Sequence, residues 1–230
     1  MKVVEIFKSI EGEGKRTGLP CTFIRLVGCN LRCNYCDTKY SYNEDSSTKT
    51  MTPEDIVQKA KDLGTETVTI TGGEPLMHAD IEILVDQLLL ADFKVNIETN
   101  GSFNIYSFLR SLRMMKCRKK LDNLLFTIDY KCNGSGMSKY MHRGNFGTSE
   151  LRGANVVYKF VVSNEEDLEQ ARYIIDKYKL TDDGEVFISP CFNRIEPKQI
   201  VDFILKNNMN KVRVQVQLHK IIWDPDMRGV

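Results

Sequence analysis

The sequence lacks an excess of charge of either sign. Its 230 residues include 32 Lys and Arg against 31 Asp and Glu, which gives a formal net charge of +1. Proteins that hold nucleic acids or anionic membrane surfaces by electrostatic attraction normally carry a strong basic excess. We therefore predict no direct nucleic-acid partner and no membrane partner, and we expect any binding site to be local.

The sequence also lacks a long hydrophobic run. It has no stretch of about 18 consecutive apolar residues, the length that a membrane-spanning helix needs, and the first segment, MKVVEIFKSI, has no apolar run typical of a signal peptide. A hydrophobic content of 42% can nevertheless build a sizeable core. We expect a cytoplasmic globular protein with one domain over residues 1–230, because neither an internal repeat nor a low-complexity linker interrupts the chain.

The cysteines do not form an even, paired set. Seven are present, and three of them, Cys29, Cys33 and Cys36, lie in CNLRCNYCDT, residues 29–38. An odd number with one cluster argues against a disulfide framework and indicates reduced thiols. Three clustered thiolates select either zinc or an iron–sulfur cluster.

A fourth ligand is missing from this stretch, and the two kinds of metal site differ in how they would use one. Structural zinc normally takes four protein ligands, usually as two cysteine pairs, and here Cys132 or His78 could supply a remote fourth ligand. A four-iron cluster held by three cysteines instead keeps one iron open for chemistry. The spacing favours the cluster, with zinc as the alternative.

Strand-like and helix-like segments alternate along the chain. β-rich runs predict strands over residues 22–28, 67–71, 94–99, 123–129, 156–162, 185–189 and 211–218. Capped or amphipathic segments predict helices after Thr52, through Ile81, Leu84, Val85 and Leu88, and over residues 165–178 and 197–206. This rhythm is typical of a parallel sheet that binds ligands at the carboxyl ends of its strands. The sequence predicts an α/β fold, a partial (β/α) barrel of about six or seven mostly parallel strands with an N-terminal cluster-binding loop.

Two stretches do not fit the alternation. Residues 101–120 carry six Lys and Arg residues, which we interpret as a solvated basic face, with a partner-binding surface as the alternative. Residues 132–153 are rich in Gly and Ser, and we interpret them as an active-site loop.

The cysteine spacing resembles a known signature. Cys-x3-Cys-x2-Cys with Tyr35 before the last cysteine is similar to the motif of the radical S-adenosylmethionine superfamily, and TGGEP, residues 71–75, matches its Gly-Gly-Glu-Pro motif. The resemblance implies a [4Fe-4S] cluster on the three cysteines, with S-adenosylmethionine chelated to the open iron. Two glycines would let the backbone approach the methionine moiety. The cofactor contacts implied by the resemblance are Tyr35, Gly73, Glu74, Glu98, Asn100, Asp129, Tyr130, Lys131, Ser189, Pro190, Cys191 and Phe192.

Further segments narrow the resemblance. SIEGEG (9–14), FIRLVGC (23–29), CDT (36–38) and QLHK with a tryptophan (217–223) together resemble the 7-carboxy-7-deazaguanine synthase family. The resemblance implies a carbon–nitrogen lyase that converts 6-carboxy-5,6,7,8-tetrahydropterin to 7-carboxy-7-deazaguanine with loss of ammonia, in queuosine biosynthesis for tRNA modification. It also implies magnesium, an electron donor such as flavodoxin or ferredoxin, and a homodimer.

The same resemblance implies a set of ligand contacts and assigns no side chain a catalytic role. Thr38 is expected to bind magnesium, a hard cation that prefers oxygen ligands. The substrate contacts expected are Ile10, Glu11, Gly12, Glu13, Arg25, Thr71, His219 and the terminal carboxylate of Val230. The family usually has glutamine where this chain has Glu11.

Two of these contacts have alternatives. Arg25 projects from a predicted strand and can bind the substrate carboxylate through its planar fork; its alternative is a surface salt bridge. His219 can bond the pterin or orient a neighbour, or it is a satisfied strand histidine. Glu13 can accept from the guanidine-like edge of the pterin.

Other functions compete with this interpretation. An activase that generates a glycyl radical on a protein partner would share the cysteine triplet and would need a docking groove. A zinc-stabilised or electron-carrying module without catalysis is the alternative from a different class. The Glu-Gly-Glu-Gly segment and Arg25 favour the synthase, because neither competing function explains them.

Overall fold

A computed structural model describes residues 1–147, 151 and 153–230. The strands within them form a single sheet: β1 (Lys2–Ile10), β2 (Pro20–Leu26), β3 (Lys49–Thr50), β4 (Thr67–Gly72), β5 (Lys94–Thr99), β6 (Leu124–Tyr130), β7 (Asn155–Val162), β8 (Glu185–Pro190) and β9 (Val212–Val214). Their order across the sheet is β3-β1-β2-β4-β5-β6-β7-β8-β9. From β2 through β4 to β9 all neighbours are parallel, whereas β1 and β3 pair antiparallel at one edge.

The helices lie in the connections between strands, except for the last one, which follows β9. They are α1 (Pro53–Leu63), α2 (Ile81–Leu90), α3 (Ile105–Leu112), α4 (Glu165–Tyr178), α5 (Leu180–Asp183), α6 (Pro197–Lys206) and α7 (His219–Ile222), with short 3-10 turns between some elements. The predicted start of α1 is confirmed: Thr52 Oγ1 accepts from Asp55 N at 3.2 Å, and Asp55 returns a bond to Thr52 N. Gly64 then ends the helix in the left-handed conformation, with φ of 69°.

The predicted fold class is confirmed. Each of the seven predicted strands occurs, and the sheet is largely parallel and open, with β3 and β9 at its two edges. The sequence did not reveal β1 and β3, because β1 is half-buried along most of its length and so lacks the apolar run of a buried strand. The last strand ends at Val214 rather than near residue 218, and the side chain of Gln215, the next residue, accepts from Gly14 N in the loop after β1.

Strand residues alternate between an apolar face and a polar face. Ile24, Ile70 and Ile97 point to the apolar face, where they are fully buried among residues of the helices. Thr69 and Asn96 point to the opposite face. Parallel strands covered by helices on both faces are normally apolar throughout. The alternation therefore indicates that one face of this sheet borders a polar site rather than a second layer of helices.

The N-terminal loop, residues 11–19, crosses the polar face. It joins β1 to β2, yet Glu13 pairs with Lys159 of β7. Gly14 N donates to Gln215 Oε1, directly after β9, at 2.6 Å. Contacts between the beginning and the end of the chain across this face require the sheet to curve around it, as in a partial barrel.

The two irregular stretches take different positions. In residues 101–120, five of the six basic side chains are exposed and Lys120 is half-buried, as a solvated face requires. Residues 132–147 pack behind the cysteines, where Asn34 N donates to Ser135 O at 3.0 Å; residues 148–150 and 152 of the expected active-site loop lie outside the described residues. No helix in the described residues is both long and apolar enough to cross a membrane.

Candidate active site

Six polar side chains form a row across the polar face, near the carboxyl ends of the strands. This polar row consists of Arg25, Thr71, Glu98, Asp129, Lys159 and Ser189. In the sheet register Arg25 lies beside Thr71, and Asp129 lies beside Lys159. Thr71 Oγ1 donates to Glu98 Oε2 at 2.8 Å. The row lies where parallel sheets bind ligands.

The cluster loop, residues 27–38, follows β2 directly and carries the three free, half-buried cysteine thiols. Leu31 N lies 3.4 Å and Asn100 Nδ2 lies 3.7 Å from Cys29 Sγ, and N–H donors of this kind stabilise a thiolate that ligates iron. Burial raises the pKa of Cys33 to about 11. That thiol therefore keeps its proton at neutral pH until a metal displaces it.

The remote candidates for a fourth zinc ligand have other partners. Cys132 Sγ lies 3.8 Å from Asp167 O, and His78 Nε2 lies 2.8 Å from Val27 O. Within the described ranges, no three Cys, His, Asp or Glu side chains are arranged to hold a single metal ion.

The glycines of the TGGEP motif bring the end of β4 against the cluster loop. A Cβ on Gly73 would lie 1.8 Å from Gly28 O, and one on Gly72 would lie 2.2 Å from Leu26 O. The two backbones are joined by hydrogen bonds from Gly73 N to Leu26 O at 3.1 Å and from Glu74 N to Gly28 O at 2.7 Å. Only glycine allows this approach.

Glu74 is fully buried and braces the ends of two strands. Its Oε1 accepts from Leu76 N at 3.0 Å and from Thr99 Oγ1 at 2.8 Å, and its Oε2 accepts from Asn100 N at 2.7 Å. Burial raises the pKa of Glu74 to about 7. Because protein donors already engage both oxygens, the side chain positions β4 against β5, and its expected contact with S-adenosylmethionine stays a prediction.

Two lysines on the polar face pair with carboxylates. Lys131 Nζ lies 2.5 Å from Asp129 Oδ2, Lys159 Nζ contacts Glu13 Oε2, and none of these four side chains is more than 18% exposed. Burial alone would raise the pKa of Glu13, but the Lys159 ammonium and hydrogen bonds from Lys159 and Gln217 outweigh it and lower the pKa to about 2. Glu13 is therefore an ionised acceptor at any physiological pH.

Arg25 forms an ion pair that is largely buried. Its Nε donates to Glu5 Oε1 at 2.7 Å, and its side chain is 14% exposed. Tyr40 OH donates to the same oxygen at 3.1 Å. The guanidinium of Arg228 lies 3.8 Å from the centre of the Tyr40 ring, which brings the C-terminal segment to this end of the site. Among the described residues, neither Nη atom of Arg25 has a hydrogen-bond partner.

Two other carboxyl groups have no cation within ion-pair distance in the described part of the chain. Glu11 is 2% exposed, and its Oε1 accepts from Thr69 Oγ1. Burial, followed by repulsion from Glu98, raises the pKa of Glu11 to about 7. Burial also raises the pKa of Glu98.

His219 lies on the N-terminal loop. A Cβ on Gly12 would lie 2.1 Å from His219 Nδ1, so only glycine fits beneath the ring. Leu218 N donates to Gly12 O at 2.9 Å and fixes this contact. The alternative of a strand histidine is wrong, because the sheet has already ended and His219 begins α7. All the substrate contacts stay predictions, namely those of Ile10, Glu11, Gly12, Glu13, Arg25, Thr71, His219 and Val230.

Comparisons with known proteins decide the family. Residues 23–129 match the Radical SAM superfamily. The 7-carboxy-7-deazaguanine synthase of Clostridium acetobutylicum is 43% identical over 230 residues, which cover 100% of this chain and 99% of that relative. The chain belongs to the 7-carboxy-7-deazaguanine synthase family.

Another synthase agrees with this assignment, and a solved structure shares the fold. The 7-carboxy-7-deazaguanine synthase of Methanospirillum hungatei is 36% identical over 98% of this chain and 86% of its own length. The crystal structure of QueE from Escherichia coli shares the fold, with a TM-score of 0.69 and 24% identity over 94% of this chain and 93% of that one. Synthases of this family are lyases and radical SAM enzymes. They use a [4Fe-4S] cluster and S-adenosylmethionine. The family assignment therefore rejects the two competing functions, the zinc-stabilised module and the activase.

The site of this synthase-family chain fits these cofactors. Asp129 Oδ1 and Ser189 Oγ are buried and have no hydrogen-bond partner among the described residues. Buried polar atoms without a partner are rare in proteins unless a ligand or water satisfies them. The three cysteines would hold the cluster, and these two atoms, on β6 and β8, would hold S-adenosylmethionine.

One predicted cofactor contact has its side chain on the other face of the sheet, and its contact with S-adenosylmethionine stays a prediction. Tyr130 lies on the apolar face, where its ring centre is 5.1 Å from that of Phe146 and 5.3 Å from that of Phe160. The reason is strand alternation: Asp129 points to the polar face, so the side chain that follows it must point away.

Other predicted cofactor contacts have roles in packing. Tyr35 OH donates to Val161 O at 3.1 Å and so joins the cluster loop to the end of β7. Beyond Ser189, Pro190 and Cys191 are buried. Phe192 is 44% exposed, and Lys220 Nζ lies 5.0 Å from its ring centre. Their contacts with S-adenosylmethionine remain predictions.

Sequence reasoning missed several residues of the site. Lys159, Glu5 and Gln217 each bond a predicted substrate contact. A signal for Lys159 was present, because VVYKFVV places a lone lysine inside an otherwise apolar strand. A charged residue there must be paired when buried, but the sequence does not identify its partner.

Proposed function

We propose that this chain converts 6-carboxy-5,6,7,8-tetrahydropterin to 7-carboxy-7-deazaguanine with loss of ammonia. The main support for this substrate is the position of Arg25, a largely buried arginine in the polar row. Its Nε donates to Glu5 Oε1, which also accepts from Tyr40 OH, and neither of its two Nη atoms has a hydrogen-bond partner in the part of the chain described. A planar fork of this kind suits a carboxylate.

Glu13 would hold the opposite end of the substrate. Its ionised carboxylate accepts well from the amino and ring N–H groups of a pterin, and it lies over the polar face because Lys159 and Gln217 hold it there. A ligand fixed at both ends presents one ring carbon to the cofactor side in a single orientation. When bound, the cluster and S-adenosylmethionine supply the electron and the organic radical that removes hydrogen from the substrate.

Magnesium, the electron donor and the assembly belong to the same proposal. Thr38 Oγ1 lies 3.7 Å from Cys36 Sγ, a position from which it could hold a cation between cluster and substrate. A small electron-transfer protein such as flavodoxin or ferredoxin would supply the reductant. We propose a homodimer of one-domain subunits in the cytoplasm, where the free thiols that the cluster needs stay reduced.

The test is a comparison of wild type with Arg25→Lys and Arg25→Ala. Product formed per deoxyadenosine released is measured with the carboxylated pterin and with an analogue that lacks the carboxylate. Loss of a shielded guanidinium–carboxylate contact should cost on the order of 2–4 kcal/mol of transition-state stabilisation. We expect Arg25→Lys to keep part of the binding and to uncouple radical formation from product.

The control is Arg213→Ala, which removes an exposed arginine paired with Glu185 at 2.5 Å. This variant should behave as wild type in every measurement. If Arg25→Ala prefers the carboxylated compound as strongly as wild type does, the substrate assignment loses its main support.

A further inference from the structure

Lys159 is a buried cation in the polar row, between Asp129 and Ser189, and it lies outside the segments that carry the family resemblance. It projects from the middle of β7. Its side chain and that of Glu13 are both 12% exposed, and the two form an ion pair. A buried lysine costs free energy unless its partners compensate. Its retention here needs a reason beyond packing, since an apolar residue at this position would join Val157 and Phe187 in the small apolar cluster beside it.

The partner of Lys159 lies on a loop rather than on a neighbouring strand. Glu13 belongs to the N-terminal loop, and Gln217 Nε2 donates to Glu13 Oε1 at 2.7 Å from the other side. The carboxylate is thus fixed by two side chains from distant parts of the chain, with one oxygen bonded to each. Each oxygen still has a lone pair for a further donor.

Lys159 also faces other charged groups. Asp129 lies beside it in the register of β6 and β7, and Glu98 on β5 attracts it. On the side of the N-terminal loop, Glu13 faces His219 as well as Lys159. Because Asp129 already pairs with Lys131, the ion pair that fixes Lys159 is the one with Glu13.

We infer that Lys159 is a positioning residue for the substrate: by pairing with Glu13 it keeps this carboxylate ionised and aimed as the acceptor for the 2-amino edge of the pterin. The inference rests on the proposed function. It assigns substrate selection to the pair rather than to Glu13 alone. A ligand with a 2-amino group and a ring N–H would donate hydrogen bonds to the Glu13 carboxylate. A ligand with a 2-oxo group would instead place an acceptor oxygen against the carboxylate oxygens, and the two would repel each other.

The experiment is a double-mutant cycle with a binding measurement. Reconstituted wild type, Lys159→Met, Glu13→Gln and the double variant are titrated anaerobically with 6-carboxypterin, a fluorescent oxidised analogue, and with the 2-oxo carboxylumazine. Lys159→Arg tests rescue by a conserved charge, and Lys211→Met removes an exposed lysine that pairs with Asp182 at 3.0 Å as the matched control. Iron content and melting temperature are recorded for each variant.

The expected result is strong coupling between the two sites. Lys159→Met should raise the dissociation constant of carboxypterin by about tenfold or more and should reduce the preference for the 2-amino compound by a similar factor. In the Glu13→Gln background the same substitution should change binding by less than about twofold, because the carboxylate through which Lys159 acts is gone. Lys159→Arg should restore part of the preference.

Two results would overturn the inference. An equal loss of affinity from Lys159→Met in both backgrounds would show that Lys159 acts without Glu13, and an unchanged preference for the 2-amino compound would show a purely structural role. If Lys159→Met does not fold, the comparison of Glu13→Gln with the double variant decides: a lysine that acts through Glu13 should change binding there by less than about twofold, and a larger change would overturn the inference. Failure of wild type to bind or convert the carboxylated pterin would instead reject the proposed function.

Discussion

At the scale of single residues, cation partners divide the buried carboxyl groups of the site into two kinds. Glu13 pairs with Lys159, and its pKa falls to about 2. Glu11 is also buried but has no cation within ion-pair distance among the described residues; its Oε1 accepts from the Thr69 hydroxyl, and burial raises its pKa to about 7. Near neutral pH Glu11 is therefore partly a neutral acid, close in shape to the glutamine that the family usually has at this position.

Glu11→Gln should stabilise the protein at alkaline pH. A folded-state pKa above the ordinary value means that the folded protein binds an extra proton between pH 4.5 and about 7, so stability falls as pH rises through this window. Above it, wild type carries a buried, unpaired charge. The variant should then be more stable relative to wild type at pH 8 than at pH 5, by on the order of 3 kcal/mol.

The measurement is urea unfolding of apoprotein at several pH values. Glu13→Gln is the matched control and should be less stable than wild type by an amount that does not change from pH 5 to pH 8, because the stability that an ionised Glu13 contributes is fully present above pH 4.5 and is lost only toward pH 2. A stability difference between wild type and Glu11→Gln that does not change from pH 5 to pH 8 would show that Glu11 is not buried as an acid.

The sequence predicted only some of the residues that line the candidate active site. Arg25, Thr71, Glu98, Asp129 and Ser189 were predicted and lie together in the polar row. Lys159 was missed, since its pairing with Glu13 depends on the curvature of the sheet, which brings distant segments together. No local sequence pattern encodes that curvature.

At the scale of elements, the alternation of apolar and polar residues in the strands joins fold to function. The apolar side chains hold the helices, and the polar ones line the ligand face. Strand and helix positions were predictable because the apolar runs and the helix cap at Thr52 act locally. The strands β1 and β3 were not, because β1 is half-buried along most of its length and β3 consists of two exposed residues, so neither requires an apolar run.

Gly73→Ala should loosen the cluster loop. The added methyl group would lie 1.8 Å from Gly28 O and 2.9 Å from Cys29 N, so the loop must move away from β4. We expect the variant to fold but to retain well under half of the wild-type iron after anaerobic reconstitution, as measured by iron and sulfide analysis, since ligand geometry sets cluster binding.

Gly64→Ala is the control for this change. Gly64 has φ of 69° and open space around its Cβ position, so alanine there strains the backbone without a collision. It should cost about 1 kcal/mol of stability and leave the iron content at the wild-type level. Equal iron loss in both variants would mean that general destabilisation, rather than contact with Gly28, governs cluster retention.

At the scale of the whole molecule, the residues that stabilise the fold and the residues that would bind the cluster lie at different places around one curved sheet. The main hydrophobic core lies between the strands and the helices, whereas the cysteines lie in a loop at the carboxyl ends of the strands. Loss of the cluster should therefore leave the fold intact, and Cys33→Ala provides a folded protein that cannot hold a four-iron cluster with its remaining two thiolates.

The most direct measurement is mass analysis of the product formed from 6-carboxytetrahydropterin, S-adenosylmethionine and a reductant. Wild type and Cys33→Ala are compared under anaerobic conditions, with circular dichroism to verify that both are folded. We predict that wild type forms 7-carboxy-7-deazaguanine together with ammonia and that folded Cys33→Ala forms neither. A wild-type protein with full iron content that cleaves S-adenosylmethionine yet leaves the carboxylated pterin unchanged would contradict the account.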